Sequence, residues 1–535
     1  MQVSEEKIHK IFHAGLIFLL LIAVLLGCNL PQRILTPSPD STHLPGGLTG
    51  DVPSITSPIS TITSVSTQPH VVQTTNPQIT STAPPATPAA PSKIATQYHL
   101  AAILDYEMHS LSVAETIDYT NLTNAALTDL LLVVEPNLIP GGFTLISIAW
   151  ENGESIAEFE LTKNQLLVPM LQPMLPGDQL EIVMNFQLDL PVLADTSIPS
   201  RPEAYGYSER QTNLVDWYPY VPPYVNGEGW LIHSTWYLGE YQVYDEADYF
   251  VTFTLAHPIE GLVLAASAPA VQDGEQYSYQ LRSGRTFALS ASTEYLVQTA
   301  DIGDTTIFSY SFPYDKSAGQ QVLSDTTDAV QIYSEVINPY QRSSLSIVEA
   351  DFLDGMEYDG LFFLSHGFYD LYDGSRKGYL TFIAAHETAH QWWYGLVGND
   401  QALEPWLDEA MCTYMEKIYY EYISYEYQPH QQIALVDWWW YYRVNFYNPQ
   451  GWVDGSIYDF DNSLSYRNAV YLNGAKFIND LRKLMGDEAF FAFLKDYALN
   501  NAHNIATAND FFTLVRAHTT QDLSELIYTY FQGNK

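Results

Sequence analysis

His386, Glu387, His390 and Glu409 are the residues whose types and spacing most directly suggest chemistry: His-Glu-Thr-Ala-His, eighteen residues, then Glu. On a helix, positions four apart share one face, one turn from each other, so both imidazoles can converge on a single ion. Two imidazole nitrogens and one carboxylate oxygen are three ligands of a tetrahedral Zn²⁺ site. Three protein ligands leave one position for water, which marks a catalytic centre rather than a structural one. The flanks favour a metal over two merely buried histidines. The segments Leu380–Ala385 and Gln391–Tyr394 are largely apolar, and ionisable groups inside such a helix need a partner. The expected cofactor is one Zn²⁺ per chain.

The pattern around these residues predicts the elements that must hold them. A metal helix is expected over roughly Leu380–Leu396, and a second helix starts near Pro405, a good first-turn residue, with Glu409 one turn in. Glu416 lies seven residues after Glu409 on the same helix face; it can orient a ligand imidazole or serve helix packing and solvent contact. Before them, Thr305–Phe312, Leu345–Val348 and Leu361–Leu364 read as strands and Asp325–Val336 as a helix. Further upstream, alternation in Tyr98–Val113, Leu180–Phe186 and Tyr249–Leu255, with turn residues such as Pro140-Gly141-Gly142, reads as antiparallel β structure. The fold class is therefore α+β: an antiparallel β domain over 97–300, then a mixed and increasingly helical domain over 301–535. Within the latter, Trp438–Tyr442 reads as core packing, Cys412 as a small buried hydrophobe, and His366 as a residue of a connecting loop.

The net charge of −40 argues against nucleic acid as a partner, because phosphate binding needs clustered Lys and Arg. Cys28 and Cys412 are the only cysteines, so no disulfide framework exists. The chain opens with Lys7, His9 and Lys10 and an apolar run from Ala14 to Leu26, short for a membrane span and suited to a signal-peptide core. Leu25-Leu26-Gly27-Cys28 resembles the bacterial lipobox, which implies cleavage before Cys28 and its lipidation; an uncleaved signal anchor is the alternative. Residues 29–96 are rich in Ser, Thr and Pro, with no Asp, Glu, Lys or Arg between Val52 and Ser92, and read as a disordered tether. Both readings predict an extracytoplasmic, membrane-tethered protein.

The zinc motif with Glu409-Ala410-Met411-Cys412-Thr413-Tyr414-Met415-Glu416 resembles the gluzincin aminopeptidases, the membrane alanyl aminopeptidase and leukotriene hydrolase family. Asp354-Gly355-Met356-Glu357-Tyr358 falls at the family's G-A-M-E-N segment, and Tyr471-Leu472-Asn473-Gly474-Ala475 resembles its Y-x-K-G-A segment. Trp217-Tyr218-Pro219 through Gly239-Glu240-Tyr241 resembles the end of the family's β domain. The resemblance implies a thermolysin-like zinc peptidase domain. It also implies that His386, His390 and Glu409 ligate zinc, Glu387 acts as general base, and Tyr471 donates to the developing oxyanion. Glu357 would bind the free α-ammonium of a peptide, with Met356 and Gly355 in a backbone segment that pairs with extended substrate. The implied partners are peptides with a free N-terminus. Asp354, Gly355 and Tyr358 depart from Gly, Ala and Asn, and the family's F-P-C-x-D-x-P stretch is missing. About sixty residues follow the Tyr471 segment, too few for the long C-terminal helical domain of many members, so a more open site is expected. The alternatives are an endopeptidase with relaxed amine recognition, or a noncatalytic zinc-containing binding lipoprotein.

Overall fold

A computed structural model describes residues 94–193, 204–423 and 435–532. The predicted signal segment, Cys28 and the tether to residue 93 lie outside the described residues. Among the described residues, no helix is long and apolar enough to cross a membrane.

The β-rich part is built on a seven-stranded sheet in which Thr96–Asp105 is flanked by Ser110–Thr120 and Ala247–Leu255. Alternating burial along Thr96–Asp105 gives it one core face and one outer face. Its pairing with Ser110–Thr120 is antiparallel, but its pairing with Ala247–Leu255 is parallel. The expectation of a purely antiparallel region is corrected here. A parallel neighbour needs a long crossover, and the chain between these two strands supplies the whole three-stranded sheet and the strands Gly206–Tyr207 and Thr212–Leu214 of the four-stranded one.

A five-stranded sheet follows, ordered Leu296–Ile302, Thr305–Ser311, Ser344–Ala350, Leu361–Ser365 and Gly355–Tyr358. Its side chains alternate between two hydrophobic cores. Leu345, Ile347, Phe362 and Leu364 face the helical core, whereas Val348, Ala350, Leu361 and Phe363 face the β-rich core. All eight are completely buried. A sheet covered on both faces explains why these strands read as continuous apolar runs rather than alternating ones.

Four helices surround the site. Helix α1, Lys316–Val336, starts nine residues earlier than expected from its apolar half. Helix α2, Tyr379–Ala389, has every residue from Leu380 onward buried. Helix α3 is Trp406–Ile423 and α4 is Gly474–Met485. Helix α2 ends seven residues before the predicted Leu396. Tyr394 adopts a φ of 125°, and the buried Arg285 takes its carbonyl (Nε–O 2.6 Å) and that of Gly395 (3.2 Å) out of any helical ladder. A contact 109 residues distant in sequence thus fixes the backbone just beyond the motif helix.

Several acids are buried in these cores. Burial raises Glu135 to about 7, against hydrogen bonds from Tyr241 and Asn164, and raises Glu349 to about 9. Glu349 Oε2 accepts the Phe312 amide at 2.7 Å while Oε1 meets no donor. The folded state therefore holds protons that the unfolded chain releases near pH 4.5. Their stabilising contribution is full below that pH and is lost as pH rises through the folded values, at about 1.4 kcal/mol per pH unit for each group. Glu349→Gln is expected to flatten the fall in unfolding free energy between pH 5 and 8, measured by denaturant titration. An unchanged slope would show that Glu349 does not hold the proton.

Candidate active site

Helix α2 presents His386, its C-cap residue His390 follows one turn on, and the first turn of α3 presents Glu409 opposite them. One ligand atom from each lies within 4.8 Å of the others. His386 Nε2 is 3.1 Å and His390 Nε2 3.7 Å from Glu409 Oε2. The outer nitrogens are already engaged. His386 Nδ1 is 3.0 Å from Glu416 Oε1, and His390 Nδ1 donates to the Trp393 carbonyl at 3.1 Å. Each Nε2 is thereby turned inward toward Glu409, the orientation a metal-bound imidazole needs.

Glu416 is fully buried one face-repeat beyond Glu409 and is itself held by Trp439 Nε1 (2.8 Å) and Arg443 Nε (3.0 Å). Burial opposes its charge, but Arg443 and His386 outweigh that and hold its carboxyl below the usual range. His386 is correspondingly pushed up to about 10: burial lowers it, and the hydrogen bonds with Glu409 and Glu416 overcome burial. His390, dominated by burial, falls to about 4. One ligand ring is thus embedded in carboxylates and the other is kept neutral.

Glu387 lies on α2 with its Oε2 buried and without any hydrogen-bond partner among the described residues. An orphaned carboxylate oxygen beside two imidazoles and a third carboxylate is costly unless something else meets it. A bound ion and its water supply such a partner, so the donor set fits zinc. The edge strand Gly355–Tyr358 runs directly over this base. A Cβ on Gly355 would stand 2.2 Å from Glu387 Oε1 and 2.7 Å from its Cδ. The departure from the family's alanine is therefore matched to the base beneath it. Gly355→Ala is expected to displace the Glu387 carboxylate and lower kcat by about 10-fold or more, with KM and zinc content little changed. Unaltered kcat would show that the base has room to move.

The preceding residue, Asp354, occupies the place of the family's first glycine at a φ of +80°, a region glycine enters freely and Asp tolerates. Glu357 carries its Oε1 3.9 Å from His390 Nδ1 and accepts from Gln401 Nε2 at 3.2 Å. Burial raises its pKa strongly, reinforced by Glu240, Glu387, Glu409 and Asp408. Met356 and Glu357 also line a small pocket, together with Glu240, Tyr394 and Gln401. Glu240, Gln401 and Asp408 were not singled out by sequence reasoning. Only Gly239-Glu240-Tyr241 offered a signal: Gly239 has a φ of 59°, and a Cβ there would meet Ile457 Cγ2 at 2.6 Å. That glycine lets the β-rich part deliver a carboxylate to the pocket.

Tyr471 belongs to a π-helical turn, Arg467–Asn473, leading into α4. Its ring stacks on His386 (9° between planes, centroids 6.0 Å apart), and its hydroxyl donates to Glu409 Oε1. Gly474 allows this approach, since a Cβ there would lie 2.4 Å from the Ala410 Cβ on α3. Outside the site, Cys412 is a buried free thiol. His366 begins a short helix and faces Asp370 at 3.5 Å. The core-packing expectation for Trp438–Tyr442 is corrected in part: Trp439 is buried against Glu416, whereas Tyr441 and Tyr442 are exposed. The π-helical turn at Trp440–Val444 rotates those two rings outward.

Residues 323–530 match the family model "Peptidase family M1 domain". This span is a family M1 peptidase domain. The chain is also 26% identical over 166 residues to aminopeptidase N of Lactococcus lactis subsp. lactis. That match spans 28% of this chain but only 18% of the longer relative. The M1 zinc metallopeptidase of Deinococcus radiodurans superposes with a TM-score of 0.58 at 16% identity, covering 83% of this chain and 95% of its own. A variant of that protein bound to a Tyr-Ser-Ala substrate superposes equally well. The shared fold therefore extends well beyond the M1 span into the β-rich part. Within the matched span, His386, His390 and Glu409 are placed so that they could hold one metal ion.

Proposed function

We propose that the protein is a zinc-dependent aminopeptidase that removes residues from free peptide N-termini. Bound zinc would supply Lewis-acid polarisation of the scissile carbonyl and acidify water at its open position. Glu387 accepts the proton released there and returns it to the leaving amine. The Tyr471 hydroxyl leaves Glu409 to donate to the developing oxyanion, where a preorganised donor acts most strongly in the transition state. Edge strand Gly355–Tyr358 offers its open backbone side to extended substrate. Glu357, with Glu240 beside it, receives the α-ammonium.

The observation that carries the exopeptidase reading is Glu357, buried beside Glu387 and His390 in an acidic pocket. A charge-assisted contact there rewards a free amine and leaves a blocked one facing an unpaired carboxylate. Aminoacyl-naphthylamides and N-acetylated peptides, offered to the zinc-loaded protein with and without chelator, test it. Chelator-sensitive cleavage of the free-amine substrates alone, lost in Glu357→Ala with zinc retained, supports the reading. Equal cleavage of acetylated peptides would establish an endopeptidase instead.

Tethering outside the cytoplasm through lipidated Cys28 belongs to the same proposal and rests on the sequence of residues 1–28. Mass spectrometry of the mature N-terminus, compared with Cys28→Ser, tests it. An unmodified, uncleaved N-terminus would leave the signal-anchor alternative.

A further inference from the structure

The pocket beside Glu357 gathers more carboxyl groups than one peptide ammonium can pair. Asp216, Glu240 and Glu357 all line it, and no Lys, Arg or His among the described residues does. Asp216 comes from the β-rich part, just after the strand Thr212–Leu214, at a φ of 48° that Asp tolerates. It is 5% exposed. Its Oδ1 accepts the Tyr244 hydroxyl at 2.7 Å, and no donor among the described residues meets Oδ2. Tyr244 and Tyr394 meet edge to face, 6.4 Å between centroids, and with Tyr358 supply aromatic wall. Arg285 lies behind that wall, its guanidinium spent on the carbonyls of Tyr244, Tyr394, Gly395 and Asn504.

We infer that this pocket receives the side chain of the substrate's first residue and selects lysine or arginine there through the free oxygen of Asp216. The inference rests on the aminopeptidase reading and names its substrate class. Glu357 and Glu240 meet the α-ammonium, which leaves Asp216 for a second positive charge. Tyrosine faces suit the methylene stem of a long basic side chain and, for arginine, the guanidinium plane. A neutral first residue of the same shape leaves Asp216 desolvated without a partner, and a site so built discriminates strongly. Burial, opposed by the Tyr244 hydrogen bond, places Asp216 at about 6, so it carries charge in neutral solution.

The zinc-loaded full chain, offered arginyl-, citrullinyl-, lysyl- and leucyl-7-amido-4-methylcoumarin, tests this. Citrulline keeps the shape of arginine without the charge. Arginyl substrate is expected to exceed citrullinyl in kcat/KM by about 10-fold or more. Asp216→Asn, which keeps an acceptor for Tyr244 and tolerates the left-handed backbone, is expected to lose about 10-fold on arginyl and lysyl substrates, mainly in KM, while citrullinyl and leucyl, relieved of the desolvated charge, are not slowed. Equal arginyl and citrullinyl rates in the unaltered protein would overturn the inference without recourse to any variant, as would an equal loss on all four substrates in Asp216→Asn. Cleavage of none of the four would overturn the aminopeptidase reading itself, and this inference with it.

Discussion

Glu387→Gln is expected to lower kcat by about 10²–10⁴-fold while zinc content and KM stay near those of the unaltered protein. The amide keeps the size of the side chain but cannot accept a proton. Glu387 contributes nothing to the ligand set of His386, His390 and Glu409, so the metal should remain. Its Oε2 has no hydrogen-bond partner to lose, and the fold should tolerate the change. Relieving a buried carboxylate whose pKa is raised by burial should even stabilise the protein slightly. Metal analysis, thermal unfolding and steady-state kinetics on one preparation separate these effects. Loss of zinc alongside activity would assign Glu387 to the ligand set instead.

The second large effect is expected at Glu416. Glu416→Ala removes the carboxylate that fixes His386 Nδ1 and simultaneously strands Arg443, whose side chain is 10% exposed. Breaking one partner of a buried pair costs about 3–5 kcal/mol. Loss of an outer partner of a ligand imidazole typically weakens metal affinity about 10–100-fold. Two readouts should therefore move together: a fall in unfolding free energy, and a rise in the zinc concentration needed to restore activity after chelation. Glu416→Gln can still accept from His386 and Arg443 and should recover much of the metal affinity. Zinc affinity untouched by Glu416→Ala would reduce Glu416 to a packing role.

The ligand set was legible because its logic is local. His386 and His390 need only helical periodicity, and Glu409 needs only a second helix starting near Pro405. The strands that build the five-stranded sheet were legible where they are apolar throughout, as in Leu361–Ser365. The four-residue edge strand Gly355–Tyr358 is too short for any period to register. What was hidden depends on contacts between distant residues. The backbone after α2 is held by Arg285, and the parallel pairing of Thr96–Asp105 is made with a strand that begins about 150 residues later. Glu240 and Asp216 reach the pocket from irregular segments of the β-rich part, where no periodic signal marks them. Gly355 could be seen as a departure from a motif, but its reason, the carboxylate beneath it, exists only in three dimensions.

The five-stranded sheet carries one more consequence. Because Val348, Ala350, Leu361 and Phe363 seal the β-rich core while their neighbours seal the helical one, neither half owns that wall alone. The zinc-binding half is not severable: freed from its companion it would present a bare apolar sheet face to water and would aggregate rather than work. Evolution can thus vary the loops of each half, but only as tenants of a shared partition.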